Sequence, residues 1–292
     1  MAVITGPTAS GKSALALALA QRIGGTIVNA DASQLYADLR VVSARPSVTD
    51  EALVPHLLYG VLDGDDVANA ARWAAMARAA IADVVSQGRV PILVGGSGLY
   101  LTTLIDGIAP VPEVDADVRA AVRELETAEA AAALADEDPA LAARLMAGDR
   151  HRLLRGLEVV RSSGKSLLHW QQQRGGGIAA DHDVRAMVVE VDRAVLRDRV
   201  EPRLWAMLGG GLPEVAALMA RRLADDRPVL RALGVAEFAA VNAGAMTQAE
   251  AVAAAATATR QYQKRQLTWA RSQAPGWTRV GDAEMAAAAL RR

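Results

Sequence analysis

The chain of 292 residues contains no cysteine, and only 3% of its residues are aromatic. The lack of cysteine excludes disulfide bonds and zinc sites built on thiolates, and it fits a reducing compartment such as the cytoplasm, where we expect the protein. The four histidines lie far apart in the sequence and have no ligand-like spacing. Since 52% of the residues are hydrophobic, we expect a core of Ala, Leu and Val built mainly from helices.

Long hydrophobic runs and an excess of one charge are also missing. No stretch of the sequence is long and apolar enough to span a membrane, so we expect no membrane partner. The formal net charge of -1 gives no general attraction to nucleic acid. Any such binding must therefore come from local basic clusters.

A glycine-rich segment near the start has the phosphate-binding spacing G-x-x-x-x-G-K-[ST]. It consists of Gly6, Pro7, Thr8, Ala9, Ser10, Gly11, Lys12 and Ser13. An apolar run at residues 2–4 predicts a strand before the segment, and helix-forming residues follow it. At such a turn the helix N-terminus attracts anions, Lys12 adds a full charge, and the Ser13 hydroxyl can hold Mg²⁺ on phosphate oxygens. The segment predicts a phosphorylated ligand.

The sequence downstream predicts an α/β fold. Apolar runs at residues 26–30 and 90–94 predict two more strands, with a helix over residues 67–87 between them. This alternation is typical of a parallel sheet, in which ligands bind beyond the carboxyl ends of the strands. The phosphate loop, Asp31 and Ser97 should therefore converge.

The second half of the chain is predicted to be mainly helical. An acidic, alanine-rich run at residues 115–145 predicts a helical insert, and the next strand candidate is residues 187–191. Glycines and a proline at residues 209–213, and Gly234 further on, predict breaks in the helices that follow.

The role of Asp31 is left open by the residues around it. Nucleotide hydrolases of this architecture usually end another strand in an Asp that helps to hold Mg²⁺, whereas residues 90–94 here lead into glycine. At the end of the second strand, Asp31 can be a metal ligand, a general base or a helix N-cap.

Two basic clusters lie further along the chain. Four arginines fall within residues 150–161, and a predicted helix over residues 260–271 places cations on one face and Tyr262, Gln266 and Trp269 on another. Such a cationic face is either solvated surface or a grip on a phosphate backbone. Aromatic residues interleaved with amides and cations favour RNA.

These motifs resemble, in order and spacing, those of the tRNA dimethylallyltransferases, the bacterial tRNA isopentenyltransferases. The matching segments are residues 6–13, 31–36, 44–46, 55–56, 93–100, 149–155, 157–159 and 259–269. The resemblance implies a P-loop kinase-like core over residues 1–112 and 183–292. It also implies a helical insertion domain over residues 113–182 that contacts the anticodon stem-loop of tRNA. The implied reaction moves a dimethylallyl group from dimethylallyl diphosphate to N6 of adenosine 37, with Mg²⁺ as cofactor and a monomeric protein.

The resemblance also implies roles for individual residues. Asp31 resembles the general base, and Lys12, Thr8, Ser97 and Arg199 complete the expected catalytic set, with Arg199 as an additional arginine on the diphosphate. Residues 6–13 are expected to bind the diphosphate or a nucleotide, and Ser13 to bind Mg²⁺. The expected tRNA contacts are Asp31, Ala32, Ser33, Gln34, Ser97, Arg119, His151, Arg152, Leu153, Leu154, Arg155, Arg260, Lys264, Arg265 and Arg271.

Two other functions use the same features. A small-molecule kinase would bind ATP on the phosphate loop and use Asp31 as a base toward a hydroxyl group. A non-catalytic RNA-binding protein would use the loop as a nucleotide switch. Affinity for ATP does not separate these hypotheses, because ATP can bind such a loop in each case.

Overall fold

The computed structural model describes residues 1–290, and the last two residues of the expected core range, 291 and 292, lie outside this description. The chain forms two compact units. One contains Met1–Thr103 together with the chain from Ala179 onward, and the other contains Leu104–Ile178. The second unit thus begins and ends earlier in the chain than the expected insert at residues 113–182.

The first unit is built on a parallel sheet of six strands. The strands are β1 (Ala2–Thr5), β2 (Gly25–Asn29), β3 (His56–Leu57), β4 (Val90–Gly95), β5 (Arg185–Val189) and β6 (Thr278–Val280). Their order across the sheet is β3-β2-β4-β1-β5-β6. β1 lies between β4 and β5, with Ala2 opposite both Ile92 and Arg185. The predicted α/β fold with a parallel sheet is confirmed.

Helices make up most of the rest of the described chain. In chain order they are α1 (Lys12–Ile23), α2 (Val48–Leu53), α3 (Ala70–Ser86), α4 (Gly98–Ile105), α5 (Ala116–Glu124), α6 (Thr127–Glu137), α7 (Pro139–Ala142), α8 (Arg150–Ser163), α9 (Leu167–Gln171), α10 (Arg193–Asp198), α11 (Val200–Ala220), α12 (Val235–Asn242), α13 (Gln248–Gln273) and α14 (Ala283–Leu290). Two short 3₁₀ helices cover Ser33–Leu35 and Pro228–Arg231.

Helix α1 is anchored to the sheet by one apolar face. Leu15, Ala16, Leu19 and Ala20 are buried in the same core as Ile4 of β1. Because these residues recur every three to four positions, the helix packs along its whole length. This packing fixes the start of α1, and with it Lys12 and Ser13, at the carboxyl end of β1.

The predicted break at residues 209–213 is wrong, because α11 runs through the three glycines and Pro213 without interruption. A Cβ on Gly211 would lie 2.7 Å from the Phe238 ring and 3.0 Å from Val42, so tight packing requires a glycine there. Packing of this kind overrides the low helix propensity of glycine. The predicted break at Gly234 is confirmed, since this residue precedes α12 with a φ of 91°.

The second unit is formed by helices with their own apolar core. Leu153 and Leu157 of α8 pack there with Val122, Leu134 and Leu141. Leu153 is only 2% exposed, so its side chain serves the core, and Leu154 packs against the same core. A contact of either residue with tRNA stays a prediction. No helix within residues 1–290 has both the length and the apolar character needed to cross a membrane.

Candidate active site

Three strands of the sheet end at the same edge, and the segments that follow them form the candidate site. The phosphate loop follows β1, Asp31 follows β2, and the glycine-rich residues 95–98 end β4. Beside them lies a cavity of about 380 Å³. Its lining includes Thr8, Ala9, Gly11, Lys12, Ser13, Asp31, Ala32, Ser33, Gln34, Tyr100, Arg203, Arg231, Tyr262 and Arg265. The predicted convergence of the phosphate loop and Asp31 is present in the structure.

The phosphate loop leads directly into the start of α1. Gly11 precedes the helix with a φ of 89°, and no side chain caps the first turn. The first backbone N–H groups of a helix have no partner within it, so this turn attracts an anion. Burial lowers the pKa of Lys12, although the charge of Asp31 opposes the shift. An anionic ligand in the cavity would stabilise the charged form of Lys12.

Asp31 is held in place by its own neighbours. Ser33 donates two hydrogen bonds to Oδ1 of Asp31, from its N–H at 3.1 Å and from its hydroxyl at 2.7 Å. The Asp31 N–H donates to Oδ1 of Asn29 at 2.8 Å, which fixes the backbone where β2 ends. The Oδ1 atom therefore acts as a local cap, and Oδ2 takes no part in that cap.

A close contact explains the glycine at the end of β4. A Cβ on Gly95 would lie 2.0 Å from the carbonyl oxygen of Ala30, so β4 cannot carry a side chain at this point. The Ser97 hydroxyl accepts a hydrogen bond from the Ala32 N–H at 3.0 Å. Ser97 thus holds the backbone next to Asp31 through Ala32, and it is not among the residues that line the cavity.

Gln34 lines the cavity, but its amide nitrogen is already used. It donates to the carbonyl oxygens of Ser43 at 3.0 Å and Ala44 at 2.9 Å. Because both amide hydrogens are bound, Gln34 could meet a ligand through its oxygen but not as a donor. Its clearest role is to hold the segment at residues 43–44, which also lines the cavity.

The structure places a second arginine beside the one predicted for the diphosphate. Arg199 is exposed and donates to the Ala9 carbonyl oxygen at 3.4 Å, and it does not line the cavity. Arg203, one helical turn further along α11, does line it, and also lines a second cavity of about 280 Å³ together with Ser13. Burial lowers the pKa of Arg203, and the charge of Asp31 opposes this. Of Arg199 and Arg203, only Arg203 lines the cavity beside the phosphate loop, and the role of Arg199 at the diphosphate stays a prediction.

Helix α13 has the two faces that the sequence predicts. Lys264, Thr268 and Arg271 are exposed, whereas Gln263 and Gln266 are buried. The inner face also carries Tyr262. Burial raises the pKa of Tyr262 to about 12, with Asp31 adding to the shift and a hydrogen bond with Ser97 opposing it.

Two further expected tRNA contacts on this helix have partners within the protein. Arg260 pairs with Glu201 at 3.4 Å, and the Arg265 guanidinium lies 5.4 Å from the centre of the Tyr262 ring.

The remaining predicted RNA contacts lie in the second unit. His151 and Arg152 are exposed near the start of α8, and Arg119 is half-buried on α5. Arg152 pairs with Asp149 at 3.3 Å, and Arg155 with the buried Glu158 at 3.5 Å. The basic surface of this unit consists of Arg119, His151, Arg152 and Arg155. Contact of these residues with tRNA stays a prediction.

The residues of the cavity fit a Mg²⁺ ion that is held mainly by its ligand. The described residues contain no cluster of three or more His, Cys, Asp or Glu side chains that could hold a metal ion on their own. However, the Ser13 hydroxyl and the Asp31 carboxylate line the same cavity. Since Mg²⁺ is often bound by one or two protein groups and substrate phosphates, this donor set fits Mg²⁺ bound together with a diphosphate.

Comparison with known proteins identifies the family. The family description IPP transferase matches residues 34–273. The chain belongs to the IPP transferase family. It is 56% identical over 282 residues to a tRNA dimethylallyltransferase from Sphingopyxis alaskensis, which covers 96% of this chain and 92% of that relative. A tRNA dimethylallyltransferase from Rhodospirillum rubrum is 50% identical over 276 residues, covering 93% of this chain and 85% of the relative.

A solved structure of this family supports the same assignment. The tRNA delta(2)-isopentenylpyrophosphate transferase from Staphylococcus epidermidis is 28% identical, with a TM-score of 0.69, and the match covers 99% of this chain and 96% of that one. The resemblance inferred from the motifs is thus confirmed.

Among the residues that line the cavity of this IPP transferase but were not selected from the sequence are Tyr100, Arg203 and Arg231. Arg203 lies four positions after Arg199, and only the packing of α11 shows which of the two faces the cavity. Tyr100 stacks on Trp73 with 4.9 Å between ring centres. Arg231 lies in a short 3₁₀ helix with no local pattern that marks a site.

Proposed function

We propose that this IPP transferase moves a dimethylallyl group from dimethylallyl diphosphate to N6 of adenosine 37 in tRNA and releases diphosphate. The observation that carries the proposal is the cavity in which Lys12 and Arg203 face the Asp31 carboxylate. The cations suit a diphosphate leaving group, and the carboxylate suits a proton acceptor. The relatives named tRNA dimethylallyltransferase support the same chemistry.

The leaving diphosphate is stabilised by fixed positive charge. In the reaction the bond between C1 of the dimethylallyl group and the diphosphate oxygen breaks, and negative charge grows on the leaving group. Lys12, Arg203 and the N–H groups at the start of α1 are placed before this charge appears, which is the most effective form of electrostatic catalysis. A Mg²⁺ ion held by the diphosphate and Ser13 would neutralise further charge there.

The incoming nucleophile is an exocyclic amine that must lose a proton as its nitrogen bonds to C1. In our proposal Asp31 accepts this proton, because its carboxylate lines the cavity beside the phosphate loop. The adenine must leave the stack of the anticodon loop to reach the cavity. No water has to be activated, so no further carboxylate is needed at the end of β4.

The tRNA backbone is proposed to bind the exposed face of α13 and the basic surface of the second unit. Lys264 and Arg271 are exposed, and no hydrogen bond or ion pair within the described residues occupies the end of either side chain. Such free cations release counterions when they bind phosphates.

Loss of the two α13 cations tests this surface. In the double variant with Lys264→Ala and Arg271→Ala we expect weaker tRNA binding and a salt dependence flatter by roughly two units of slope. The measurement is tRNA affinity across a salt series. Arg22→Ala, which removes an exposed cation at the far end of α1, should leave the slope unchanged. An unchanged slope in the double variant would show that this face is only solvated surface.

The choice between Arg199 and Arg203 as the diphosphate arginine is tested by matched variants. We expect Arg203→Met to lower kcat/KM for the diphosphate substrate by about a hundredfold or more, because it removes a charge that faces the leaving group. Arg199→Met removes an exposed arginine of the same length and should change kcat/KM by no more than a few-fold. Steady-state kinetics with saturating tRNA measures both. The reverse order of effects would assign this role to Arg199.

The product separates the proposal from a kinase. Purified protein incubated with radiolabelled dimethylallyl diphosphate, tRNA and Mg²⁺ should move the label into tRNA. A kinase would instead move label from the γ-phosphate of ATP to a small molecule. Absence of label in tRNA, with ATP-dependent labelling of a small molecule, would overturn the proposal.

A further inference from the structure

Two buried glutamines of α13 hold the backbone of the phosphate loop. Oε1 of Gln266 accepts a hydrogen bond from the Thr8 N–H at 2.8 Å, and Nε2 of the same side chain donates to the Gly96 carbonyl oxygen at 3.1 Å. Nε2 of Gln263 donates to the Thr8 carbonyl oxygen at 3.0 Å. Both polar backbone groups of Thr8 are therefore bound by side chains of one helix.

The side chains of Gln263 and Gln266 are buried and do not line the cavity. Gln263 is 5% exposed and Gln266 is 7% exposed, and neither is a lining residue. A Cβ on Gly96 would lie 2.0 Å from Nε2 of Gln266, so the glycine leaves the space that this amide occupies. Gln266 thus joins the loop after β1 to the loop after β4.

The phosphate loop contains a strained residue that hydrogen bonds from another element must stabilise. Thr8 lines the cavity, and the next residue, Ala9, has a φ of 64°. This left-handed conformation is unfavourable for alanine, so the surrounding structure must impose it. The hydrogen bonds to Thr8 fix the peptide groups directly before this strained residue.

We propose that Gln263 and Gln266 are positioning residues that hold the phosphate loop in the conformation that binds diphosphate. They act through the Thr8 peptide groups and touch no ligand themselves. The inference rests on the proposed function for the identity of the ligand. The amides matter because each offers the donor or acceptor that a particular backbone group requires, and an apolar side chain of equal size offers neither.

Methionine substitutions test the inference with little change in size or helix propensity. We expect Gln266→Met to weaken the binding of dimethylallyl diphosphate and of inorganic diphosphate to the tRNA-free chain by about ten- to a hundredfold, and Gln263→Met to weaken it several-fold. Because both act on Thr8, the double variant should lose less than the product of the two single effects. Gln261→Met, an exposed glutamine of the same helix, should bind as the parent does.

Calorimetric titration measures these affinities, and steady-state kinetics adds a second readout. A positioning role raises KM for dimethylallyl diphosphate while the affinity for tRNA stays within about twofold, whereas a merely structural role lowers the folded fraction and leaves KM unchanged. Should Gln266→Met fail to fold, Gln263→Met carries the test, since it removes the donor to the Thr8 carbonyl oxygen and leaves both contacts of Gln266 in place.

The outcomes separate this inference from the proposed function. Parent-like diphosphate affinity and KM in any folded Gln263 or Gln266 variant would overturn the positioning role. A parent protein that binds neither diphosphate nor dimethylallyl diphosphate would contradict the proposed function instead.

Discussion

Asp31→Asn is expected to lower the single-turnover rate of dimethylallyl transfer by about a hundredfold to ten-thousandfold, with tRNA and diphosphate affinities close to those of the parent. The change removes the proton acceptor and keeps the size of the side chain. It also keeps an oxygen that can accept the hydrogen bonds from Ser33, so the local cap survives.

The same variant separates the three roles that the position of Asp31 allows. If Asp31 is chiefly a Mg²⁺ ligand, raising the Mg²⁺ concentration should partly restore the rate. If it is only a cap, the chemistry should survive and the melting temperature should change little, because the amide oxygen of Asn keeps the cap. Ser33→Ala is the matched control, since it removes the hydroxyl bound to Oδ1 and leaves the carboxylate in place. Transfer by the Asn variant at nearly the parent rate would refute the role of general base.

Lys12→Ala is the second variant with a large expected effect. We expect it to cost about 3 kcal/mol or more of transition-state stabilisation, because it removes a full charge from a partly desolvated diphosphate site. The fold should stay intact, since the lowered pKa of Lys12 shows that burial already disfavours its charge.

Single-turnover transfer measures the loss of transition-state stabilisation, and a melting curve measures whether the fold stays intact.

The lowered pKa of Lys12 in the free protein also predicts the direction of a pH effect. Since the charged form binds the diphosphate, kcat/KM should fall as pH rises through that pKa, at a lower pH than an ordinary lysine would give. Lys12→Arg should lack this alkaline decline. Prenyl transfer by Lys12→Ala within severalfold of the parent would contradict the assignment of the loop.

The parts of the fold that local patterns specify could be predicted from the sequence. The phosphate loop and strands β1, β2, β4 and β5 follow from an apolar run next to a turn signal. Strands β3 and β6 were missed because they contain only two and three residues, and their pairing depends on the neighbouring strands. The path of α11 through its glycines depends on Phe238, which lies more than twenty residues away in the sequence.

The site shows the same limit at the level of single side chains. Arg199 and Arg203 are equivalent as a sequence pattern, and the packing of α11 alone decides that Arg203 faces the cavity. Leu153 lies within a segment that resembles a tRNA-binding motif, but it fills the core of the second unit. A motif includes residues that support a surface as well as those that form it. The sequence placed Gln266 on the face opposite the cations, whereas the burial of Gln263 and the contacts of both glutamines with Thr8 required the structure.

The most direct test of the proposed function is the nucleoside at position 37 of tRNA. Mass spectrometry of tRNA nucleosides from cells with and without this protein should show N6-(dimethylallyl)adenosine, or a product derived from it, at that position only when the protein is present. Expression of the Asp31→Asn variant should fail to restore it. Unchanged N6-prenylation at position 37 in cells that lack the protein would contradict the proposal.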